Sequence, residues 1–319
     1  MKKNNIVISA IIPIYNNFSL MRPLLNSLNV QKNKSFEIIF IDDCSSDDSY
    51  KFLKKEANNF KFNFKLLKNK NNCGPGTTRN IGIENCNGEY ITFIDADDYI
   101  IDDFFDNIIA QINESSFDCL IFDYFKKSNS YERKVDSFPI KDLYLEPLDA
   151  LALSNGMCWG KVYRKKIIEE NNIVFPKLMR SEDLAFVKVY LSKCKKIIYL
   201  QKPLYYYFQN AQSIMHNANT LDINNNINAF NYIKKNVDDS CALEMVFIRE
   251  YLYLIVQIMS LLNRDNKEIK KFISDCNYIY PNWTKNKYLK YQPKYLNFIL
   301  NLIKFKFVFL IKMIFKLKK

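Results

Sequence analysis

Histidine is almost missing from this 319-residue chain, which holds a single one, His216. That scarcity rules out Ser-His or Cys-His nucleophile pairs and multi-histidine metal sites as organising chemistry. Paired cysteines are missing too. The eight cysteines are scattered without a C-x-x-C spacing, which points to reduced thiols in a cytoplasmic setting rather than to zinc or a disulfide framework. No uninterrupted apolar run approaches the roughly 20 residues that cross a bilayer. Met1 to Asn5 leads straight into an apolar strand, so no signal peptide is expected. Neither the P-loop spacing nor the dinucleotide fingerprint occurs, which removes the main support for ATPase and dehydrogenase readings. Acid is absent from the end of the chain: Cys276 to Lys319 holds ten lysines and no Asp or Glu.

What is present is a set of apolar runs that end in acid. Tyr90-Ile91-Thr92-Phe93-Ile94 reads as a buried strand, and Asp95-Ala96-Asp97-Asp98 follows it directly. Three carboxylates so close need a cation, and oxygen ligands suit Mg²⁺ or Mn²⁺ holding a phosphate. The competing reading is a polar strand end that also caps the next helix through Asp102 and Asp103. Phe36 to Ile41 is a second such strand, followed by Asp42-Asp43-Cys44-Ser45-Ser46-Asp47-Asp48. Val7 to Ile12 precedes it and ends in Pro13-Ile14-Tyr15-Asn16, with Leu20, Leu24, Leu25 and Leu28 at helical spacing between the two. Asp47 to Ala57 reads as a helix with its acids early and its lysines late. With a strand over Phe62 to Leu67, the alternation predicts a doubly wound, mostly parallel sheet. Such sheets bind ligands beyond the carboxyl ends of their strands, where Asp42, Asp43, Asp95 and Asp97 all fall.

A third motif, Asn71 to Gly82, contains Gly74-Pro75-Gly76, a turn that feeds a helix with Thr77 as a candidate cap. A helix amino terminus of this kind suits a phosphate, and Arg79 one turn in would add charge-assisted hydrogen bonds. The plain alternative is a tight turn with a surface arginine.

These segments, in this order and at about this spacing, resemble the family-2 inverting glycosyltransferases of bacteria. Trp159-Gly160-Lys161-Val162-Tyr163-Arg164, Phe175-Pro176 and Ser181-Glu182-Asp183-Leu184-Ala185-Phe186 look like that family's acceptor-side block. Pro203-Leu204-Tyr205-Tyr206-Tyr207 and Ser213-Ile214 look like the segment that closes its domain. The resemblance covers residues 6 to 216. It implies an α/β chain with a GT-A-type, Rossmann-like sheet, a C-terminal helical extension and a nucleotide-sugar donor, most often a UDP-sugar. Carried over by position, Pro13 and Tyr15 would border the nucleotide, and Asp43, or else Asp42, would accept from the base. Asp95 and Ala96 would lie along the donor with Arg79, and Asp97 would hold Mn²⁺ or Mg²⁺ against the diphosphate. Asp183, with Glu182 beside it, would deprotonate the acceptor hydroxyl. His216 is a candidate further metal ligand, against the plainer reading of a surface or lid histidine. The chain departs from the family pattern at Cys44, where Gly is usual, at Thr78, where Ala is usual, and at Ser181, where Gly or Tyr is frequent. Ser181 also suits an N-cap, which would make Asp183 an ordinary first-turn acid.

Charge is distributed unevenly. Residues 1–121 carry 13 Lys+Arg against 16 Asp+Glu, and the rest carries 33 against 18. At about 100° per residue, Asn297, Asn301, Lys304, Lys312, Lys316 and Lys319 share one polar stripe on a helix whose other face is mostly apolar, with Lys306 and Lys318 as exceptions. Such a helix lies in a membrane interface and is drawn to anionic lipid, unless it packs on the protein's own core. Nucleic acid is not expected as a partner.

The organisation expected is a nucleotide-sugar-dependent glycosyltransferase domain over 1–216, a helical extension over 217–294 and a basic, membrane-associating tail over 295–319. The enzyme would be a metal-dependent inverting hexosyl- or N-acetylhexosaminyltransferase, peripheral on the inner face of the cytoplasmic membrane. Its acceptor would be a glycan or lipid-linked hydroxyl in cell-surface polysaccharide synthesis. The rival readings are a non-catalytic nucleotide-sugar binding module and a sugar-phosphate nucleotidyltransferase.

Overall fold

The computed structural model describes residues 6–209 and 222–317. The chain divides into two compact units: Met1–Pro147 with Asn155–Ser213, and Leu148–Ser154 with Ile214–Lys319.

The first unit opens with the expected alternation: β1 (Ile8–Ile14), α1 (Arg22–Asn29), β2 (Phe36–Asp42), α2 (Ser49–Glu56), β3 (Asn63–Lys68), α3 (Gly74–Asn85) and β4 (Tyr90–Phe93). These strands lie parallel in the order β3-β2-β1-β4. β1, β2 and β4 are buried along nearly their whole length, as their unbroken β-branched and aromatic runs require. Register then fixes the site. Ile14 pairs with Asp42, the Asp43 amide donates to the Ile14 carbonyl, and the Ile94 amide donates to the Ile11 carbonyl. The ends of three apolar strands are thereby brought to one edge. α3 lies so close on β1 that a Cβ at Gly82 would stand 2.4 Å from Ile11 Cγ2, so only glycine fits there.

Beyond β4 the chain forms β5 (Tyr99–Ile100), α4 (Phe104–Glu114), β6 (Cys119–Lys127), β7 (Glu132–Val135), β8 (Tyr144–Leu145), α5 (Pro147–Leu153), β9 (Lys161–Arg164), α6 (Lys165–Glu170), α7 (Glu182–Lys193) and β10 (Ile197–Phe208). β9 joins β4 and β6 through antiparallel ladders, β10 runs parallel to β6, and β5 closes the edge. The Pro203–Tyr207 segment is thus the second half of a long strand.

The second unit is helical: α8 (Ile223–Asn236), α9 (Cys241–Val246), a π-helical stretch (Phe247–Tyr253) running into α10 (Leu254–Leu261), α11 (Asn266–Ile279), α12 (Lys294–Lys304) and α13 (Val308–Leu317). α5 folds with these helices. The Tyr288 hydroxyl donates to Asp149 at 2.9 Å, and Arg249 Nη1 donates to the Leu153 carbonyl at 3.1 Å.

The tail departs from the single amphipathic helix expected over 295–319. It breaks after Lys304, where Lys306 adopts a left-handed φ of 56°. Leu296, Ile299, Leu300, Ile303, Val308, Ile311 and Phe315 are buried within the unit. The apolar positions are too many for one face, so one stripe packs inward and another is left outside. Among the described residues, no helix is long and apolar enough to cross a membrane.

Candidate active site

The acids behind β4 are sorted by their partners. Asp98 is buried, accepts from the Tyr205 hydroxyl at 2.6 Å and from the Phe208 amide at 2.8 Å, and pins β4's end to β10. Burial, with Asp95 and Asp97 nearby, pushes its carboxyl well above the usual range. Asp95 accepts from Arg79 Nη2 at 3.0 Å. The three carboxylates are thus set apart by their partners: Arg79 balances Asp95 and the Tyr205 hydroxyl holds Asp98. Asp97 is engaged by neither of these groups and has no ion-pair partner among the described residues. Burial, and then the charge of Asp95, push it up to about 6. Ala96 turns its methyl into the core, so only its backbone faces the site.

Arg79 is buried rather than a surface group. Its Nη1 donates to Glu182 at 2.9 Å, while Nε has no partner. Both terminal nitrogens that a phosphate would use are thus given to carboxylates, one at the end of β4 and one at the start of α7. The rest of α3's face explains how this bridge is seated. Asn80 exchanges two 2.9 Å hydrogen bonds with the backbone of Phe175. A Cβ at Gly76 would meet Glu182 Cγ at 2.9 Å. Gly76, Arg79 and Asn80, at i, i+3 and i+4, form one helical face against the acceptor-side block. Phe175 in turn stacks on Phe186 of α7 at 3.9 Å between centroids.

The amino terminus of α3 is occupied as well. Asp43 accepts from the Cys73 amide at 3.0 Å, the Gly74 amide at 2.8 Å and Asn69 Nδ2 at 2.8 Å. Asp43, not Thr77, satisfies the first donors of this helix, and two amides expected for phosphate are already used. The Cys73 thiol is a fourth donor at 3.2 Å; it shares Oδ1 with the Cys73 amide and Asn69, so it is Oδ2, held only by the Gly74 amide, that has a direction open for a further donor. Asp42 is fully buried. It accepts from the Ser45 amide at 3.2 Å and lies 3.7 Å from Lys68 Nζ, while its Oδ1 has no partner. Asn16 ties the neighbouring loop down by accepting from the Ser46 amide at 2.9 Å, and it leaves Tyr15 46% exposed above Pro13.

At the start of α7, Asp183 accepts from the Leu184 amide at 2.7 Å and has no cationic partner among the described residues. Burial, then the adjacent Glu182, push it up to about 7 against the pull of Arg79. Ser181 stands at the cap position but makes no capping bond and holds φ 61°. Its N-cap reading fails because a left-handed backbone turns the hydroxyl away from the helix donors. Cys44, the other departure from a usual glycine, holds φ 59°. A left-handed non-glycine residue costs roughly 1–2 kcal/mol, and glycine returns part of that gain as unfolded-state entropy. Cys44→Gly is accordingly expected to stabilise the protein by about 0.5–1 kcal/mol. A thermal melt should rise by a few degrees, and an unchanged or lower midpoint would contradict this.

Sequence reasoning missed two groups. Tyr205 holds Asp98 across 107 positions, and no local pattern announces it. Lys161 is fully buried, donates to Asn155 Oδ1 at 2.7 Å and to the Met157 carbonyl at 2.8 Å, and is pushed down by burial to about 8. His216 and the Ser213-Ile214 pair lie outside the described residues.

A mostly parallel sheet with acids at its carboxyl edge, facing a helix that carries a carboxylate near neutrality, defines an α/β ligand-binding domain of the nucleotide-handling kind. A family profile, Glycosyl transferase family 2, matches residues 9–171. The chain belongs to that family.

It is 29% identical over 214 residues to "Glycosyltransferase GlyA" of Streptococcus pneumoniae, covering 63% of this chain and 30% of that protein. It is 32% identical over 209 residues to "Poly(ribitol-phosphate) beta-N-acetylglucosaminyltransferase TarS" of Staphylococcus aureus, covering 62% of this chain and 35% of that one. The match therefore spans about a third of those relatives. In fold, the crystal structure of TarS 1–349 in complex with UDP-GlcNAc superposes with TM-score 0.74 at 23% identity, covering 97% of this chain and 90% of that one. A mannosyltransferase from Pyrobaculum calidifontis, in complex with GDP-Man and Mn²⁺, superposes with TM-score 0.58 at 13% identity, covering 89% and 84%. The GT-A-type fold expected from the sequence is thus the fold observed.

Proposed function

We propose that this protein is an inverting glycosyltransferase that moves a hexosyl or N-acetylhexosaminyl unit from a nucleotide-sugar, with UDP as the nucleotide, to a hydroxyl of a glycan or lipid-linked acceptor. The observation that carries this reading is the bridge Asp95–Arg79–Glu182. It brings the donor-side strand end and the start of α7 together, while Asp97 and Asp183 on either side of it have no ion-pair partner among the described residues. The family membership, and the UDP-GlcNAc complex of a protein with the same fold, support the donor class.

The roles follow from the surroundings. Exposed Tyr15, above Pro13, offers a face for the base, and Asp43, with Asp42 as the alternative, offers an acceptor for it. Asp95 and the Ala96 backbone line the donor, with Arg79 orienting Asp95. Asp97 and Asp95 fit Mg²⁺ or Mn²⁺, because such ions take one or two protein carboxylates and fill their remaining positions from diphosphate and water. Among the described residues no group of three His, Cys, Asp or Glu could hold a metal alone; diphosphate oxygens would complete the site, with His216 the candidate further ligand. The cation would supply charge neutralisation for the departing nucleoside diphosphate. Asp183 accepts the proton of the acceptor hydroxyl, and one in-line displacement inverts the anomeric centre. Glu182 is the alternative base, but its carboxylate is already committed to Arg79.

The catalytic portion lies within residues 1–216, apart from the 148–154 segment that folds with the helices. The reaction fits cell-surface polysaccharide synthesis at the inner face of the cytoplasmic membrane. The test is nucleotide release from a panel of UDP-, GDP- and dTDP-sugars, with the anomeric configuration of the product read by NMR. Release from UDP-sugars with inversion is expected. Retention, or pyrophosphate formation from a sugar phosphate and UTP, would overturn the reading.

A further inference from the structure

The outward stripe of α12 and α13 has a chemistry of its own. Phe298, Phe305, Phe307, Phe309, Met313 and Leu317 are exposed, with Phe305 at 62% and Phe309 at 73%. They repeat along the surface while the inward stripe of the same helices is buried, so the packing of the unit does not use them. Exposed apolar residues scattered singly need no explanation, but a run of large ones along two consecutive helices does.

Charge decides the occupant. Between Lys285 and Lys316 there are eight lysines and no acid. Where their heads do make hydrogen bonds, the acceptors are neutral: Lys306 Nζ donates to Ser274 Oγ at 2.8 Å, Lys312 Nζ to the Arg264 carbonyl, and Lys316 Nζ to Asn263 Oδ1 at 3.3 Å. None of these lysines is in an ion pair among the described residues, and Lys304 Nζ lies 5.4 Å from the centre of the exposed Phe305 ring, so positive charge sits beside the aromatic stripe without being cancelled. A second copy of the same surface would set lysine against lysine, and protein interfaces are depleted of that residue. Aromatic and aliphatic tips among uncancelled lysines instead match the boundary between acidic headgroups and acyl chains, where apolar groups insert and cations stay in the headgroup layer.

We propose that the outer face of α12 and α13 is a docking surface for an acidic phospholipid bilayer. The inserted element is the exposed second face of a packed helix pair, not a free amphipathic tail. Each lysine brought to an anionic surface multiplies partitioning by roughly five-fold, and salt shortens the reach of those charges.

The experiment is sedimentation of the full chain with phosphatidylcholine vesicles, with or without phosphatidylglycerol, over a range of salt. Binding at least ten-fold stronger to the acidic vesicles, and weakening with salt, is expected. Phe305→Glu/Phe309→Glu/Met313→Glu changes only exposed positions and should lose that binding with an unchanged melting curve. Replacing Lys304, Lys306, Lys312 and Lys316 by Gln should remove the preference for acidic lipid. Nucleotide release from the donor is measured separately on each variant and should not change, so failure of the docking and failure of the transferase reading are distinguishable. Equal partitioning into neutral and acidic vesicles, or full binding by the triple Glu variant, would overturn the proposal. So would a dimer in sedimentation velocity that the Glu variant dissociates, which would assign the face to a second copy.

Discussion

Asp183→Asn is expected to lower turnover by about 10²–10⁴-fold while donor binding stays near normal, because only the proton acceptor is lost. The wild-type pH profile should carry the same signature. With the carboxyl pushed up to about 7, kcat/KM should climb about ten-fold per pH unit below that value and level off above it, and the Asn variant should lose this limb. Stability should move the other way. A folded-state pKa raised above the unfolded value of about 3.9 means that the fold prefers the protonated form. The charged side chain therefore costs stability increasingly as pH rises from about 4 through about 7. The Asn variant should melt higher than wild type at pH 8 and close to it at pH 4. Glu182→Gln should behave differently, since it strips a buried arginine of one partner, a change typically worth about 3–5 kcal/mol of destabilisation. Near-normal turnover in Asp183→Asn, with a well-folded but dead Glu182→Gln, would transfer the base role to Glu182.

Removal of divalent metal by EDTA should abolish transfer, and Asp97→Ala should lose both metal binding and tight UDP binding. Asp97 is the carboxylate at the β4 edge that neither Arg79 nor Tyr205 engages, and burial, with added repulsion from Asp95, raises it to about 6. A cation relieves that repulsion, and its affinity depends on the ionised form. Mn²⁺ binding in the presence of UDP, followed by calorimetry, should therefore weaken as pH falls through about 6 and vanish in Asp97→Ala. Full activity in EDTA would sink the metal mechanism. Unchanged Mn²⁺ affinity in the variant would move the ligand elsewhere.

Much of this architecture is legible in the chain. Unbroken β-branched and aromatic runs mark β1, β2 and β4, because strands buried on both faces have no polar side to alternate with. The acids follow those runs directly, so parallel pairing alone carries Asp42, Asp43, Asp95 and Asp97 to one edge. Of α7 the sequence announces a start, with Ser181 before the acids Glu182 and Asp183, and the structure extends the helix to Lys193. The tertiary structure decided what each acid does. In sequence, Asp95, Asp97 and Asp98 are interchangeable carboxylates. In space, Arg79 takes the first, Tyr205 the third, and the second is left open. Asp43 became a cap for α3 because a helix terminus from another βα unit arrives beside it. The same holds for the tail, whose periodicity showed an apolar helix but not that one apolar stripe would be used inside the unit and another left outside. Local pattern is set by backbone geometry and side-chain period within a few residues. Partnership is set by which distant elements pack together, and a carboxylate's charge, its openness and its role follow from that packing alone.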